Sequence, residues 1–407
     1  MKKLQLLQEK EDIFLYIFID EEFSRLGIYL TGGQLDDFIS QIKTGQSFLT
    51  LDLTEEQLAR AKYETEEDIL ADIIEQLKDS DKIDNLLEFM KTDDGSAMIR
   101  LADRFAREKL NSMYLEIPQY FYDQRQGHEN VEKNINEIWG HALDLFELLI
   151  VTIQEIADNL DVTKLNDYND NIDLYDALRR LLGRSCLIGY EILTLLRFGF
   201  ADGGYARFRT LYETVIIGMF ISDSGNEAAT RYLDFSIIDD LKKAEIFNEY
   251  TSVLNEEQVS LEEISGLKEE KLKLIEKYGE NFAKGDYGWA SSLLDKKRVT
   301  FRDIEEKVDF SHMRPHYKLT SSNIHTGSSS LYSHIALPPE DDSKILTGAS
   351  GYGINVPCRL ATPYLVMMTG NLLLNQSQTL EQIIYGQLLG KLGDDIIEIL
   401  DSIVDEE

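Results

Sequence analysis

From Ile135 to Leu160 the apolar residues Ile135, Ile138, Trp139, Ala142, Leu145, Phe146, Leu149, Ile153, Ile156, Ala157 and Leu160 return about every 3.6 positions. That period puts them on one face of an α-helix about eight turns long, a face that only other packed elements can cover. The same period recurs through Leu174, Leu178, Leu181, Leu182, Cys186, Gly189, Leu193 and Leu196, which predicts a second long helix. Gly189 on its apolar side would let a neighbour approach closely. A third helix is centred on Arg209-Thr-Leu-Tyr-Glu213, joined to the second by Phe200-Ala-Asp-Gly-Gly204 and ended by Asp223-Ser-Gly-Asn226. A charge-rich fourth, Ala228 through Tyr250, is expected on the outside. Apolar runs over Cys358–Asn375 and Thr379–Val404 predict two closing helices. Six prolines in 407 residues leave such helices uninterrupted, and no repeat of fixed period is present. The fold expected is all-α, a multi-helix bundle with a smaller helical N-terminal module.

That module is read as residues 1–127 and the bundle domain as 128–407. Thr54-Glu-Glu-Gln57 and Thr65-Glu-Glu-Asp68 have the form of capping boxes, in which side chains satisfy the free amides of a helix start. Apolar spacing continues through Leu86, Leu87, Phe89 and Met90, breaks at Thr92-Asp-Asp-Gly95 and resumes from Met98 to Tyr114. Pro118 and the polar run Tyr122–Asn130 mark the expected boundary. The β-branched and aromatic residues around Phe14 also fit a strand. Further on, Ser260-Leu-Glu-Glu263 opens a Lys/Glu-rich helix, Thr300 is placed as an N-cap, and Pro315 suits a first turn. Tyr168–Asn171 and the stretch with Pro338, Pro339 and Gly348–Gly353 read as loops.

Seventy-four acidic residues against 41 basic ones give a formal charge of −33. Such a field repels nucleic acid and anionic membrane unless a basic patch overrides it locally, and it suits a basic protein partner. Cys186 and Cys358 lie far apart in apolar surroundings, as buried free thiols of a reducing compartment do. The longest apolar run near the N-terminus, Ile13–Ile19, falls short of the ~20 residues that cross a bilayer. Its acidic flanks, Asp12 and Asp20–Glu22, are unlike a signal peptide. A cytoplasmic protein that engages no membrane is expected. A protein partner would use the acidic surface or the N-terminal module. The face around Leu360–Leu374 serves a homo-oligomer or the core equally well.

Three motif classes are set aside. Gly348-Ala-Ser-Gly-Tyr-Gly353 lacks the Lys-Ser/Thr of a phosphate loop. His312 and His316 flank Pro315 and have no ligand partners at metal-binding spacing. Neither cysteine has the basic neighbour of an activated thiol. No metal and no cofactor are therefore expected. His141 reads as a satisfied core histidine, and Lys296-Lys-Arg298 as solvated. Two polar stripes remain on otherwise apolar helices: Arg209 with Glu213, and Tyr317, Ser321 and His325 at intervals of four. If the bundle unites them, His325 can serve as acid or base and Arg209 can stabilise an anionic transition state. Glu213, Tyr317 and Ser321 would then orient the others and the substrate. The alternative is a buried ion pair satisfied by its neighbours that only fixes helix register. On that reading the chain is a scaffold or binding protein.

The series Leu-Leu-Arg197-Phe-Gly-Phe, Ala206-Arg-Phe-Arg209-Thr-Leu-Tyr-Glu213, Arg231-Tyr232-Leu-Asp, Asp286-Tyr-Gly-Trp289-Ala and Tyr317-x-x-x-Ser321-x-x-x-His325 resembles DUF5677, a family of bacterial helical proteins of unknown function. The resemblance extends over residues 131–375 and leaves 1–127 outside. It implies a helical fold and no particular activity. In outline that architecture is similar to HEPN-type domains, many of them metal-independent ribonucleases of toxin and phage-defence systems. The analogy implies an RNA or nucleotide substrate. The arginine that precedes the HEPN histidine by four to six residues has no counterpart here, so such a site would be assembled from the two distant stripes.

Overall fold

The computed structural model describes residues 15–44, 46, 48–63, 65–78, 96–160, 171–322, 324–325, 328, 332, 334–337, 345–375 and 379–406. Among them every regular element is helical. In chain order these are α1 (15–25), α2 (Gly32–Lys43), α3 (Glu55–Arg60), α4 (Glu66–Lys78), α5 (Ser96–Asn159), α6 (Ile172–Arg197) and α7 (Ala201–Ser224). Next come α8 (Asn226–Asp234), α9 (Ser236–Leu254), α10 (Leu261–Tyr278), α11 (Phe301–Lys307), α12 (Arg314–Ser322), α13 (Asn355–Leu374) and α14 (Leu380–Glu406). The expectations for Ile13 and Phe14, Leu86 to Met90, Thr92–Gly95, Tyr168 to Asp170, Pro338 and Pro339 lie outside the described residues. The chain divides into two compact units, Met1–Arg125 and Gln126–Glu407.

The first unit closes on Ile19, Phe23, Leu26, Leu35, Phe38 and Ile73, with Phe23 and Phe38 meeting edge to face at 5.3 Å. From residue 15 onward the strand considered around Phe14 gives way to helix α1. Spacings of four and three (Ile19, Phe23, Leu26) put the buried side chains on one helical face. Thr54 and Gln57 form the anticipated capping box, and Thr31 with Gln34 forms another. The two boxes are tied together by hydrogen bonds between the Gln34 and Gln57 amides. Thr65 Oγ1 accepts the Asp68 amide at 3.2 Å.

The break expected at Pro118 and Tyr122–Asn130 is replaced by helix, because α5 runs 64 residues with Pro118 inside it. The side chains of residues 113–119 are exposed, so water can take the carbonyl that proline leaves without a donor. His141 also departs from expectation. It is exposed, on the same side of α5 as the exposed Ile138 and Leu148, and is no core histidine.

In the second unit α7 is buried on most of its circumference. It packs on α6 and α13 along its length and on the short α11 and α12 across its remaining side. Glycines allow this. A Cβ at Gly189 would lie 3.1 Å from Ile150 and 3.3 Å from Leu365, and one at Gly204 would lie 3.3 Å from Leu196 and 3.4 Å from Pro357. Gly203 and Gly204 are therefore inside α7 and not in the connection. The turn is made by Gly199 at φ +80°, whose carbonyl accepts the Ser350 amide at 2.9 Å. The fourth helix is two, α8 and α9, parted at Phe235. Ala361, Leu365, Met368 and Leu372 of α13 are buried, which makes this face core as far as Leu373, with Leu374 exposed at its end. Both cysteines are buried, and burial pushes Cys186 up to about 11 and Cys358 up to about 12.

Two of the recurrent sequence patterns meet here and serve packing. Arg231, 3% exposed, donates Nε to the Trp289 carbonyl at 2.7 Å and lies over the rings of Tyr278 and Phe282. Trp289 packs edge-on against Phe220 and Tyr232. Gly288 has no room for a side chain, since a Cβ would fall 2.1 Å from the Phe282 carbonyl oxygen, a backbone atom. Gly288→Ala should therefore destabilise the second unit by about 2–3 kcal/mol, measured as a lower denaturant midpoint at unchanged slope.

Candidate functional site

Arg209 and Glu213 project one turn apart from α7, and Tyr317 from α12. They lie at the edge of the buried face, with side chains 19% and 29% exposed, and not within it. The face itself is formed by Tyr205, Phe208, Leu211, Tyr212, Val215 and Ile216. Packing of α12 across α7 joins the two stripes. Arg209 Nε donates to Glu213 Oε1 at 3.0 Å and Nη2 donates to the Tyr317 hydroxyl at 2.8 Å. The Tyr317 hydroxyl in turn donates to Glu213 Oε1 at 2.7 Å. Arg209 Nη1 lies 3.4 Å from His325 Nε2, a hydrogen bond only while that nitrogen carries no proton.

His325 is exposed and lies beyond the end of α12, which closes at Ser322. Its amide still reaches the Ser321 carbonyl at 2.9 Å, so the chain keeps helical spacing far enough to deliver the imidazole to Arg209. Ser321 does not join the cluster. Its hydroxyl donates back to the Tyr317 carbonyl at 2.7 Å, a bond within its own helix. Four of the five expected residues are thus brought together.

A second polar assembly lies beside the first. Tyr212 donates to Glu305 Oε1 at 2.6 Å and Arg314 Nη1 donates to Glu305 Oε2 at 2.7 Å. The Glu305 side chain is 1% exposed. The assemblies share an aromatic layer, in which Tyr317 stacks on Phe301 at 5.3 Å and Tyr212 meets Tyr317 at 5.8 Å. The guanidinium groups of Arg209 and Arg314 lie 4.6 Å and 5.2 Å from the Tyr317 ring centre. Glu305 and Tyr212 had no advance signal as site residues, because a glutamate in a short charged helix and a tyrosine in an apolar one look ordinary.

Electrostatics follow from these contacts. Burial lowers the Arg209 guanidinium, and the bonds to Glu213 and Tyr317 outweigh it, so it stays above the usual arginine value. Burial and then the Glu213 bond push Tyr317 up to about 12. Tyr212 is raised by burial and by Glu305, and Tyr287 by burial and the Glu213 charge. Tyr317 is therefore a proton donor at neutral pH and not a phenolate. Among the described residues no group of three or more His, Cys, Asp or Glu side chains could hold a metal ion. No described helix is long and apolar enough to cross a membrane. Cavities of about 420 Å³ near Arg197 and 330 Å³ near His128 are lined by other residues, and the cluster reaches solvent at the exposed His325.

Residues 175–344 match the model of DUF5677, a family of unknown function. The chain contains a DUF5677 region. No curated protein and no solved structure matches it. The matched span is narrower than the 131–375 of the sequence resemblance, yet the DUF5677 region holds all five residue patterns and both polar assemblies.

Two measurements separate the assemblies. Glu305→Ala strands the buried Tyr212 hydroxyl and removes the partner of the part-exposed Arg314, and should cost about 2–3 kcal/mol. Glu213→Ala, at a half-exposed site, should cost about 1 kcal/mol. Equal losses in urea unfolding would contradict this burial order. For pH, the folded state holds the Tyr317 proton more tightly than the unfolded chain, whose tyrosines ionise near 10.0. This contribution is complete below pH 10 and is lost as the pH rises towards about 12. Tyr317→Phe should flatten the fall in stability across that window.

Proposed function

We propose that the Arg209–Glu213–Tyr317–His325 cluster is a metal-independent acid–base site acting on a phosphoester of RNA or of a nucleotide. The observation that carries the reading is the 3.4 Å approach of His325 Nε2 to Arg209, which joins a proton-exchanging side chain to an anion-stabilising one. His325 would take the proton from an attacking hydroxyl or water. Arg209 would draw the phosphoryl oxygens through the N–H groups left over from Glu213, Tyr317 and His325. Glu213, which accepts the one Tyr317 hydroxyl proton, would hold Arg209 and Tyr317 in place. The HEPN-type analogy drawn from the sequence patterns would add a setting, a cytoplasmic bacterial effector of a toxin or phage-defence system. The acidic chain would need the local charges of Arg209, Arg314 and Lys318 to admit a phosphate.

A second reading has its own support. Every nitrogen of Arg209 already has a partner in the protein, as in a clamp that fixes α12 on α7. On that reading the chain is a scaffold whose acidic surface or N-terminal unit binds a partner. Expression of wild type, His325→Ala and Arg209→Ala from a tightly controlled promoter separates the two. Growth arrest by wild type alone, with both variants melting within a few degrees of it, is the outcome expected of a catalytic site, and cellular RNA would then be cleaved. A harmless wild type whose variants melt far lower is the outcome of the clamp.

A further inference from the structure

We propose that the N-terminal half of α14 is a self-association surface, pairing antiparallel with the same helix of a second copy of this chain. Leu380, Ile383, Ile384 and Leu388 are 74%, 52%, 54% and 47% exposed, although Leu389, Ile396 and Leu400 bury the opposite face. At 100° per residue, Leu380, Ile384, Gln387 and Leu388 form one stripe with Ile383 at its edge. Leu374, exposed at the end of α13, precedes it. Together the apolar side chains offer on the order of 500 Å² per copy, about 1,000 Å² for a symmetric pair, the size at which a specific interface begins.

Charge selects the occupant. Two copies of a chain carrying −33 repel over most of their surface, so they can meet only where that charge is missing. Between Leu380 and Lys391 the only charged residues are Glu381 and Lys391, opposite in sign and each five positions from Gly386. An antiparallel crossing at the level of Gly386 therefore sets Glu381 of each copy against Lys391 of the other, and Ile384 against Leu388. Glu381 uses one oxygen to accept the Tyr385 hydroxyl and keeps the other for such a contact. The exposed stripe of α9, Ile246, Tyr250, Val253 and Leu254, lacks this property. It is bordered by Glu245, Glu249, Glu256 and Glu257, and self-pairing there would bring like charges together.

Light scattering on the full-length protein after gel filtration tests the pairing. Wild type should run as a dimer, Ile384→Asp should weaken it by ~tenfold or more, and Val253→Asp should leave it unchanged. Glu381→Lys and Lys391→Glu should each weaken the dimer several-fold, and the double exchange should restore it. A monomeric wild type overturns the proposal, as does a dimer indifferent to Ile384→Asp or one that the double exchange fails to rescue. A monomeric wild type whose melting temperature falls on Ile384→Asp would place another segment of the same chain on the stripe, which also overturns it.

Discussion

Close packing of α7 between α6 and α13 is the constraint on which the rest of the second unit depends. A helix buried on most sides has little surface left for polar groups. Gly189, Gly204 and Gly218 let its neighbours come near enough to remove water altogether. The one side left open is narrow and is covered by two short helices, α11 and α12. Any charged residue of α7 facing that side must find its partners on them, since an unpaired ion there costs several kcal/mol, order of magnitude. Arg209 and Glu213 meet this requirement through Tyr317, and Tyr212 meets it through Glu305.

The two polar assemblies differ in a way that bears on function. Glu305 is fully enclosed and spends each oxygen on a separate donor, so nothing from solvent can reach it without local unfolding. Arg209 and Glu213 sit at the rim, with an exposed imidazole beyond them. The enclosed assembly positions the aromatic layer, and the rim assembly is held on that layer from below through the Tyr317 ring. A rigid platform beneath a cation at the rim is what an anion site requires, because the cost of ordering the guanidinium is met before the ligand arrives. The same platform would serve a register clamp, which is why the exposed His325, and not the buried residues, decides between the readings.

Much of the fold was legible because helical burial leaves a period in the sequence. α6, α7, α13 and α14 fall where apolar spacing put them, and the caps at Thr54 and Thr300 fall where side-chain chemistry put them. What was missed depends on tertiary surroundings. The helix through Pro118 survives because its side chains face solvent, which no local rule records. His141 belongs to the exposed side of α5, and the period alone does not say how wide the buried face is. Gly203 and Gly204 looked like a turn because glycine serves both turns and close helix contacts, and only the neighbours Leu195, Leu196 and Pro357 tell the two apart. Within the site, Arg209, Glu213, Tyr317 and His325 stood out as polar residues on apolar faces. Glu305 did not, because its burial and its bond to Tyr212, 93 positions away in the chain, arise from tertiary packing. Ser321 shared their spacing but spends its donor on its own helix.

The internal satisfaction of Arg209 does not count against a ligand. A guanidinium has five N–H groups, and the bonds to Glu213, Tyr317 and His325 use one from each nitrogen. One N–H on each terminal nitrogen remains as a donor for a further acceptor, and the bonds already made hold the guanidinium in place. Glu213 lowers the net charge of the cluster, so the attraction to a phosphate is weaker than for a bare arginine, and affinity must come from geometry more than from charge. In the proposed reaction His325 would have a double part: as a neutral acceptor it would help hold Arg209, and on taking a proton from the substrate it would give up that bond and set a second cation beside the guanidinium. Proton transfer and the strengthening of anion binding would then be one event, the coupling an acid–base step at a phosphoester calls for.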